Sequence, residues 1–509
     1  MRHSFVLLAI FTAPAAAQRK PVAPVLDQAF DARIDSVMTT WKVPGIGIAV
    51  VKGNQVIFLK GYGYKDRDQK VPVTKDTKFA IGSVTKSFAV TGLAAQVTQG
   101  KLEWDVPVRR YLPDFQMFDP VATERMTARD LVTHRSGLPR HDLMWGPGMF
   151  TRDEIYQRLR FLEPTKDFRS VWQYQNLMYM TAGYLSGKLD GTSWEAVVRE
   201  RVFRPLGMTT ADVSVSDLQR SADYSYGYAR LPSDSVVKLP YRNLDAIGPA
   251  GSINASPAEM IRYVTMHLNR GTIEGKEIIS AAASKEMQTP QMVIPASPMP
   301  GAGGTDLGQE GYGMGFFIGS YRGRKMVHHG GNIDGFSAEV NFLPNDSLGV
   351  VVLTNLNGTV TRDFIPFMIY DRLLGLPAID WSGRYKVVAD RARARQDSIR
   401  AREVASRVAN TTPSRALADF TGRYNHPGYG DVRITLADGK LSLGYAKLQL
   451  PMEHFHYDVF ETAPISPAQP TRWKVQFLSD MTGAVTGLAI PFEPALKPIV
   501  LTRQKTIDP

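Results

Sequence analysis

The sequence predicts an α+β protein: an antiparallel sheet flanked by helices, with a helical subdomain inserted, followed by a small all-β domain. Three observations carry this. Apolar runs of strand length cluster at both ends of residues 25–375, and helical patterns fill the middle. A basic, Arg/Ala-rich stretch over 376–413 then interrupts the chain, bounded by Pro377 and Pro413. Beyond it, short period-two alternations separated by turn residues run through 414–507.

The elements follow in order. Arg2 and His3 precede the apolar run Phe5 to Phe11, and Ala15-Ala16-Ala17 ends at Gln18. A charged start, a short apolar core and a small-residue cleavage site describe a secretory signal peptide over 1–17. The run is too short to span a bilayer, and no later stretch is long enough, so no integral span is expected once the signal is removed. Phe30, Ile34 and Met38 recur at helical spacing within Ala29 to Trp41. Gly45 to Val51 and Gln55 to Tyr62, joined by Lys52-Gly53-Asn54, predict a hairpin. Ser83 to Val97 reads as a helix, apolar or small on most sides after Lys86 and therefore buried. Three strands, Lys325 to His329, Phe336 to Leu343 and Leu348 to Thr354, and a helix over Arg362 to Leu374 close the large domain. In the last segment Val432, Ile434 and Leu436 alternate, Asp438-Gly439 turns, and Leu441 and Leu443 alternate again.

Composition excludes several classes. The chain holds no cysteine, which removes disulfides, thiolate metal sites and a cysteine nucleophile together. The net charge is +11. Close to half of that excess lies between Arg384 and Arg407, where eight basic residues face three acidic ones. That is a solvated basic helix rather than a patch beside a reading motif, so no nucleic-acid partner is expected.

The chemistry concentrates in Gly82-Ser83-Val84-Thr85-Lys86. Ser83 and Lys86 stand three apart, which on a helix places both side chains on one face. A serine hydroxyl needs a base to become a nucleophile, and a lysine serves only if burial lowers its pKa. Two further segments join it: Tyr174-Gln175-Asn176, followed by Tyr179 and Gly183-Tyr184, and His328-His329-Gly330-Gly331-Asn332, followed by Gly335-Phe336.

In their order and spacing the three motifs resemble those of the serine β-lactamase and penicillin-binding superfamily, nearest to class C β-lactamases, DD-carboxypeptidases and related esterases. Val43-Pro44-Gly45-Ile46-Gly47, the segment Asp130 to Leu138, Pro205-Leu206-Gly207-Met208 and Tyr312-Gly313-Met314-Gly315 resemble the same family. The likeness covers about 25–375 and implies a β-lactamase/transpeptidase-like domain there. The last segment is similar to the small barrel-like β domain that often follows such hydrolases. The resemblance implies roles. Ser83 attacks and is acylated, and Lys86 accepts or relays its proton. Tyr174 is the partner base, as a phenolate or as a phenol held by Lys86. Asn176 holds the substrate's acyl amide, and His329 and Gly331 line the substrate side. The backbone amides of Ser83 and Asn332 form the oxyanion hole. No metal or cofactor is required.

One departure bears on substrate. Where class C enzymes carry Lys-Thr-Gly, this chain reads His329-Gly330-Gly331. An imidazole of ordinary pKa is mostly neutral at pH 7, and Gly330 offers no hydroxyl. Both changes favour a small ester, amide or D-residue peptide over the carboxylate of a β-lactam. A β-lactamase, and a receptor with slow or no turnover, stay open as alternatives. Arg324 or Lys325 would be a substitute carboxylate anchor if strand register allowed. A small molecule or peptide is the expected substrate, in the periplasm or outside the cell, with no partner assigned to the C-terminal domain.

Other patterns carry less. His328 and His329, adjacent on a strand, face opposite ways and would not share an ion. His454 and His456 share a face only in a regular strand and make an incomplete metal site. His134 with Ser136 reads as a structural loop. Gly301 to Gly304 lacks a phosphate-loop pattern and reads as a loop beside the site. Phe455, Tyr457 and Val459 read as a core stripe of the β domain.

Overall fold

The computed structural model describes residues 26–146, 148–295 and 306–505. Residues 1–17, expected as a signal peptide, and the glycine run at 301–304 lie outside the described residues.

A sheet of nine described strands is built from both ends of the large domain. β1 (Gly45–Lys52), β2 (Gln55–Asp66) and β3 (Val71–Pro72) come from the start. β4 (Met292–Val293), β5 (Leu307–Tyr312), β6 (Phe317–Tyr321), β7 (Arg324–Ile333), β8 (Phe336–Leu343) and β9 (Leu348–Thr354) come from the end. Their order is β4-β5-β6-β7-β8-β9-β1-β2-β3, with antiparallel neighbours throughout. β1 is central and buried on both faces, which explains its unbroken apolar run. Ile46, Ile48 and Val50 face one core and Ala49 and Val51 the other, as the two-residue period requires.

On the first face lie α1 (Gln28–Trp41) and, from late in the domain, a helix over Thr361–Leu373. On the second lie α2 (Thr85–Thr98) and the helix Pro257–Leu268. α2 is buried on every side from Thr85 to Gln96. Its hydrophobic residues are spread around the whole helix, so a side chain leaving it in any direction enters protein. The helix itself starts at Thr85. Ser83 stands just before it, in a single 3₁₀ turn over Gly82–Val84.

β7 runs on to Ile333, four residues past the expected end, because the glycines at 330 and 331 continue the ladder with Glu339 and Ala338 of β8. The whole of the third motif therefore lies on strand.

A long helix, Trp381–Ala405, follows the large domain. Trp381 and Tyr385 anchor its start in the first core, and residues 390–399 are almost wholly exposed. The C-terminal domain is a closed eight-stranded barrel running from Gly422 to Arg503. Val432, Ile434, Leu441 and Leu443 point inward, and Leu436 at the strand end does not. Asp438 and Gly439 both have left-handed φ, 49° and 71°, as a tight two-residue hairpin needs. The expected aromatic stripe is corrected. Phe455 is buried, but Tyr457 is 58% exposed. A bulge between His454 and His456 ends the regular strand, and Tyr457 falls in the turn with φ 45°. The buried residues of the barrel and of the second face form one continuous hydrophobic cluster.

Phe88 marks how tightly α2 is seated: its ring stacks on Tyr263 at 3.7 Å between centroids and meets Phe203 edge-on. Phe88→Ala is expected to destabilise the protein by about 3–5 kcal/mol, read as a lower thermal midpoint. An unchanged midpoint would mean that the helix is not held by this packing.

Candidate active site

Two glycines let the serine turn and strand β7 touch. Gly82 has φ 51°, and a Cβ there would lie 2.9 Å from the backbone nitrogen of Asn332. A Cβ on Gly331 would lie 1.9 Å from the Ile81 carbonyl oxygen and 3.0 Å from the Ser83 nitrogen. Side chains at either position would push the segments apart. Asn332 stands beyond the last residue of β7 paired with β6, so among the described residues no strand covers it on that side. From beneath the sheet Arg362 donates to the carbonyls of Gly331 and Ala338, at 2.5 and 3.0 Å, and fixes the strand end.

Lys86, in the first turn of α2, is fully buried. Its Nζ lies 2.7 Å from Asn176 Oδ1, 2.8 Å from the Ala250 carbonyl oxygen and 3.2 Å from Ser83 Oγ. Burial, reinforced by the Arg140 charge, holds its pKa well below the ordinary lysine value. A neutral amine has two N–H donors and one lone pair. As an ammonium Lys86 donates to all three oxygens; once it has lost a proton, the Asn176 and Ala250 oxygens, which are pure acceptors, keep the two hydrogens that remain. The lone pair is left facing the Ser83 hydroxyl.

The orientation of Asn176 is itself fixed. Its Nδ2 donates to Asp142 Oδ1 at 3.0 Å, which turns Oδ1 toward Lys86. Oδ1 is thus committed to the lysine and one of the two Nδ2 hydrogens to Asp142, so the side chain positions the lysine.

Tyr174 lies over the same spot. Burial pushes its phenol up to about 12, against the opposing pull of a hydrogen bond with Ser83 and of Arg140. It is a phenol at neutral pH. Lys86 Nζ lies 4.9 Å from the centre of its ring. The lysine meets the face of the ring, while the phenol oxygen answers to Ser83. The Arg140 guanidinium covers the same ring at 5.2 Å.

His329 is buried beneath this group. Its Nδ1 lies 2.7 Å from the Gly330 carbonyl, so the proton sits on Nδ1, and Nε2 accepts from the Tyr312 hydroxyl at 3.2 Å. Burial and the nearby Lys86 hold its pKa well below the usual histidine value. The third motif supplies packing and a neutral ring, not a cation. His134 is also buried, 4.3 Å from the Tyr174 ring between centroids, and its Nδ1 accepts from the Gln175 amide. Ser136 Oγ instead accepts from the Leu138 amide, so the two do not form a dyad. Trp172 completes an aromatic wall, 6.1 Å from Tyr174 and 5.9 Å from Phe317.

Ser83, Lys86, Tyr174, Asn176, His329, Gly331 and Asn332 therefore meet in one place. Arg324 does not. It stands eight residues before Asn332 on an extended strand, roughly 26 Å away at the usual rise, and its guanidinium pairs with Asp346. Lys325 is at the same remote end. His328 turns to the other face and meets Glu339 at 3.1 Å. In the barrel His454 bonds the Tyr457 carbonyl and His456 accepts from the Val408 amide. Among the described residues no group of three His, Asp or Glu could hold a metal ion. Sequence reasoning missed Arg140, Asp142, the Ala250 carbonyl and Arg362. Tyr179 and Tyr312 were visible only as flanking text.

A protein-family model described as beta-lactamase matches residues 30–368, and one described as a domain of unknown function (DUF3471) matches 406–503. The unguisins hydrolase of Aspergillus violaceofuscus is 27% identical, over 92% of this chain and 89% of its own. A structure of the octameric penicillin-binding protein homologue from Pyrococcus abyssi aligns with a TM-score of 0.59 at 23% identity, covering 93% of this chain and 99% of that one. The D-amino acid amidase from Ochrobactrum anthropi aligns with a TM-score of 0.55 at 22% identity, over 68% and 98%.

The contact between Lys86 and Asn176 gives a signed prediction. A carboxylate at position 176 would favour the ammonium and raise the Lys86 pKa by about 1–3 units. Asn176→Asp should therefore move the acid limb of the hydrolysis rate to higher pH by that amount. A limb that stays in place would identify a different titrating group.

Proposed function

The chain belongs to the β-lactamase family of hydrolases, and on that premise we propose that it cleaves a small ester, amide or D-residue peptide bond through an acyl-enzyme on Ser83. The observation that carries this is the placement of a fully buried Lys86 3.2 Å from Ser83 Oγ, with the Asn176 and Ala250 oxygens as its other two partners, so that the deprotonated amine turns its lone pair to the hydroxyl. Lys86 takes the Ser83 proton as Oγ attacks the substrate carbonyl carbon. The charge that develops on the carbonyl oxygen is met by the backbone amides of Ser83 and Asn332. As the tetrahedral carbon collapses, Tyr174 donates its phenolic proton to the leaving oxygen or nitrogen, and the Lys86 ammonium gives its proton to solvent as the phenolate takes one up. Water then attacks the acyl ester, giving up its proton to Lys86, which passes it to Ser83 Oγ as the serine leaves as the hydroxyl.

The substrate class rests on what faces the serine. His329 is neutral and buried, Gly330 has no hydroxyl, and Arg324 is remote, so the usual partners of a β-lactam carboxylate are missing. The likeness to the fungal hydrolase and to the D-amino acid amidase supports amide or ester cleavage. We also read the protein as exported, on the strength of residues 1–17. Among the described residues no helix is long and apolar enough to cross a membrane.

The test is a panel of an aryl ester, a D-aminoacyl anilide and a chromogenic cephalosporin, run beside Ser83→Ala. Turnover should be greatest on the ester or anilide and fall by about 10³-fold or more in the variant. Activity surviving in Ser83→Ala would reject the mechanism. Preference for the cephalosporin would make the protein a β-lactamase, and a stable acyl adduct by intact mass without turnover would make it a receptor.

A further inference from the structure

The barrel reaches the catalytic domain beside the site, through the loop after its strand Val485–Ile490. The carboxylate of Glu493 in that loop accepts from two consecutive backbone amides of the large domain, His141 at 3.1 Å and Asp142. Tyr429 of the barrel bonds His141 Nδ1 at 2.8 Å, and Tyr445 donates to the Leu143 carbonyl at 2.9 Å. Three neighbouring residues of the catalytic domain are therefore held from the barrel. His141 is in the left-handed region, φ 47° and ψ 37°, which a non-glycine residue adopts only against a steric penalty. The barrel contacts offset that penalty.

What the strained turn presents is Asp142. Its Oδ1 accepts from Asn176 Nδ2, and its Oδ2 accepts from Arg140 Nε at 2.6 Å. Asn176 in turn fixes the hydrogens of Lys86. An unbroken series of contacts thus runs Glu493, Asp142, Asn176, Lys86, Ser83, and its first member lies some 350 residues from its second. The hydrophobic seam behind it is tight: a Cβ on Gly430 would lie 2.9 Å from Phe150, and one on Gly428 would lie 2.8 Å from Leu162.

We infer that the C-terminal barrel is a working part of the catalytic centre, and that Glu493 is a positioning residue that keeps the Lys86 lone pair on Ser83 by holding Asp142. This rests on the reading of Ser83 and Lys86 given above. Loss of the Glu493 carboxylate frees the His141–Asp142 turn, lets the Asn176 amide rotate, and turns the Lys86 hydrogens away from their two acceptors. A misplacement of that size near the reacting atoms costs on the order of 100-fold in rate.

The experiment uses the full chain and the best ester of the panel. Glu493→Ala should lower kcat by about 10- to 100-fold with KM changed less than about two-fold. Glu493→Gln, which keeps one acceptor oxygen and disturbs folding less, should recover part of the loss. In a double-mutant cycle with Asn176→Ala the losses should not multiply, because both remove the same contact. Arg400→Ala is the control. It cuts the paired contacts of the connecting helix with Glu461 of the barrel, at 2.9 Å each, and should leave kcat unchanged. Parent-like kcat in Glu493→Ala, losses that multiply with those of Asn176→Ala, or an equal loss in Arg400→Ala would each overturn the inference. Activity that survives in Ser83→Ala would sink the acyl-enzyme reading instead, and is scored separately.

Discussion

The arrangement around Ser83 depends on an amine sealed from water with two carbonyl oxygens for company. Lys86 sits on a helix that is buried all round, so its charged form has no solvent to stabilise it. Burial therefore shifts it toward the neutral form, while three oxygens stand ready for its hydrogens. Everything else near the serine is arranged around that fact. Asn176 and Ala250 fix the two hydrogens, Tyr174 stays a phenol, and His329 stays a neutral ring. Burial makes Lys86 a weaker base than a free lysine, and for the same reason favours its unprotonated form.

Dryness at that depth is a property of the whole architecture. The nine-stranded sheet closes one side of α2, and its serine turn meets β7 through two glycines with no room for a methyl group. Arg362 ties the strand end from the far side of the sheet. The barrel is not an appendage on this scheme: its core merges with that of the catalytic domain, and its rim holds the backbone of His141 and Asp142.

Much of this was legible in the sequence, for reasons that can be named. Ser83 and Lys86 stand one helical turn apart, so their proximity follows from local geometry alone. The two ends of the sheet showed as apolar runs of strand length, and Asp438-Gly439 announced its hairpin by residue type. What was hidden is equally specific. The Ala250 carbonyl is backbone and has no identity to read. Asp142 and Glu493 act across 34 and 351 residues of chain, where no periodicity links them. Arg324 looked available only because strand register is invisible in one sequence. Tyr457 was misplaced by a bulge, which shifts the alternation by one without any mark in composition.

Trp172 gives the aromatic wall a second use. Its indole lies within about one ring's width of Tyr174, Tyr312 and Phe317, and its Nε1 finds no hydrogen-bond partner among the described residues. A fluorophore so placed senses the polarity of the cleft directly. Filling the space above Ser83 with an acyl group would displace solvent from the indole edge and shift its emission. Trp172 is one of seven tryptophans, so replacing it with phenylalanine is what would trace an emission change on adding a ligand to this wall.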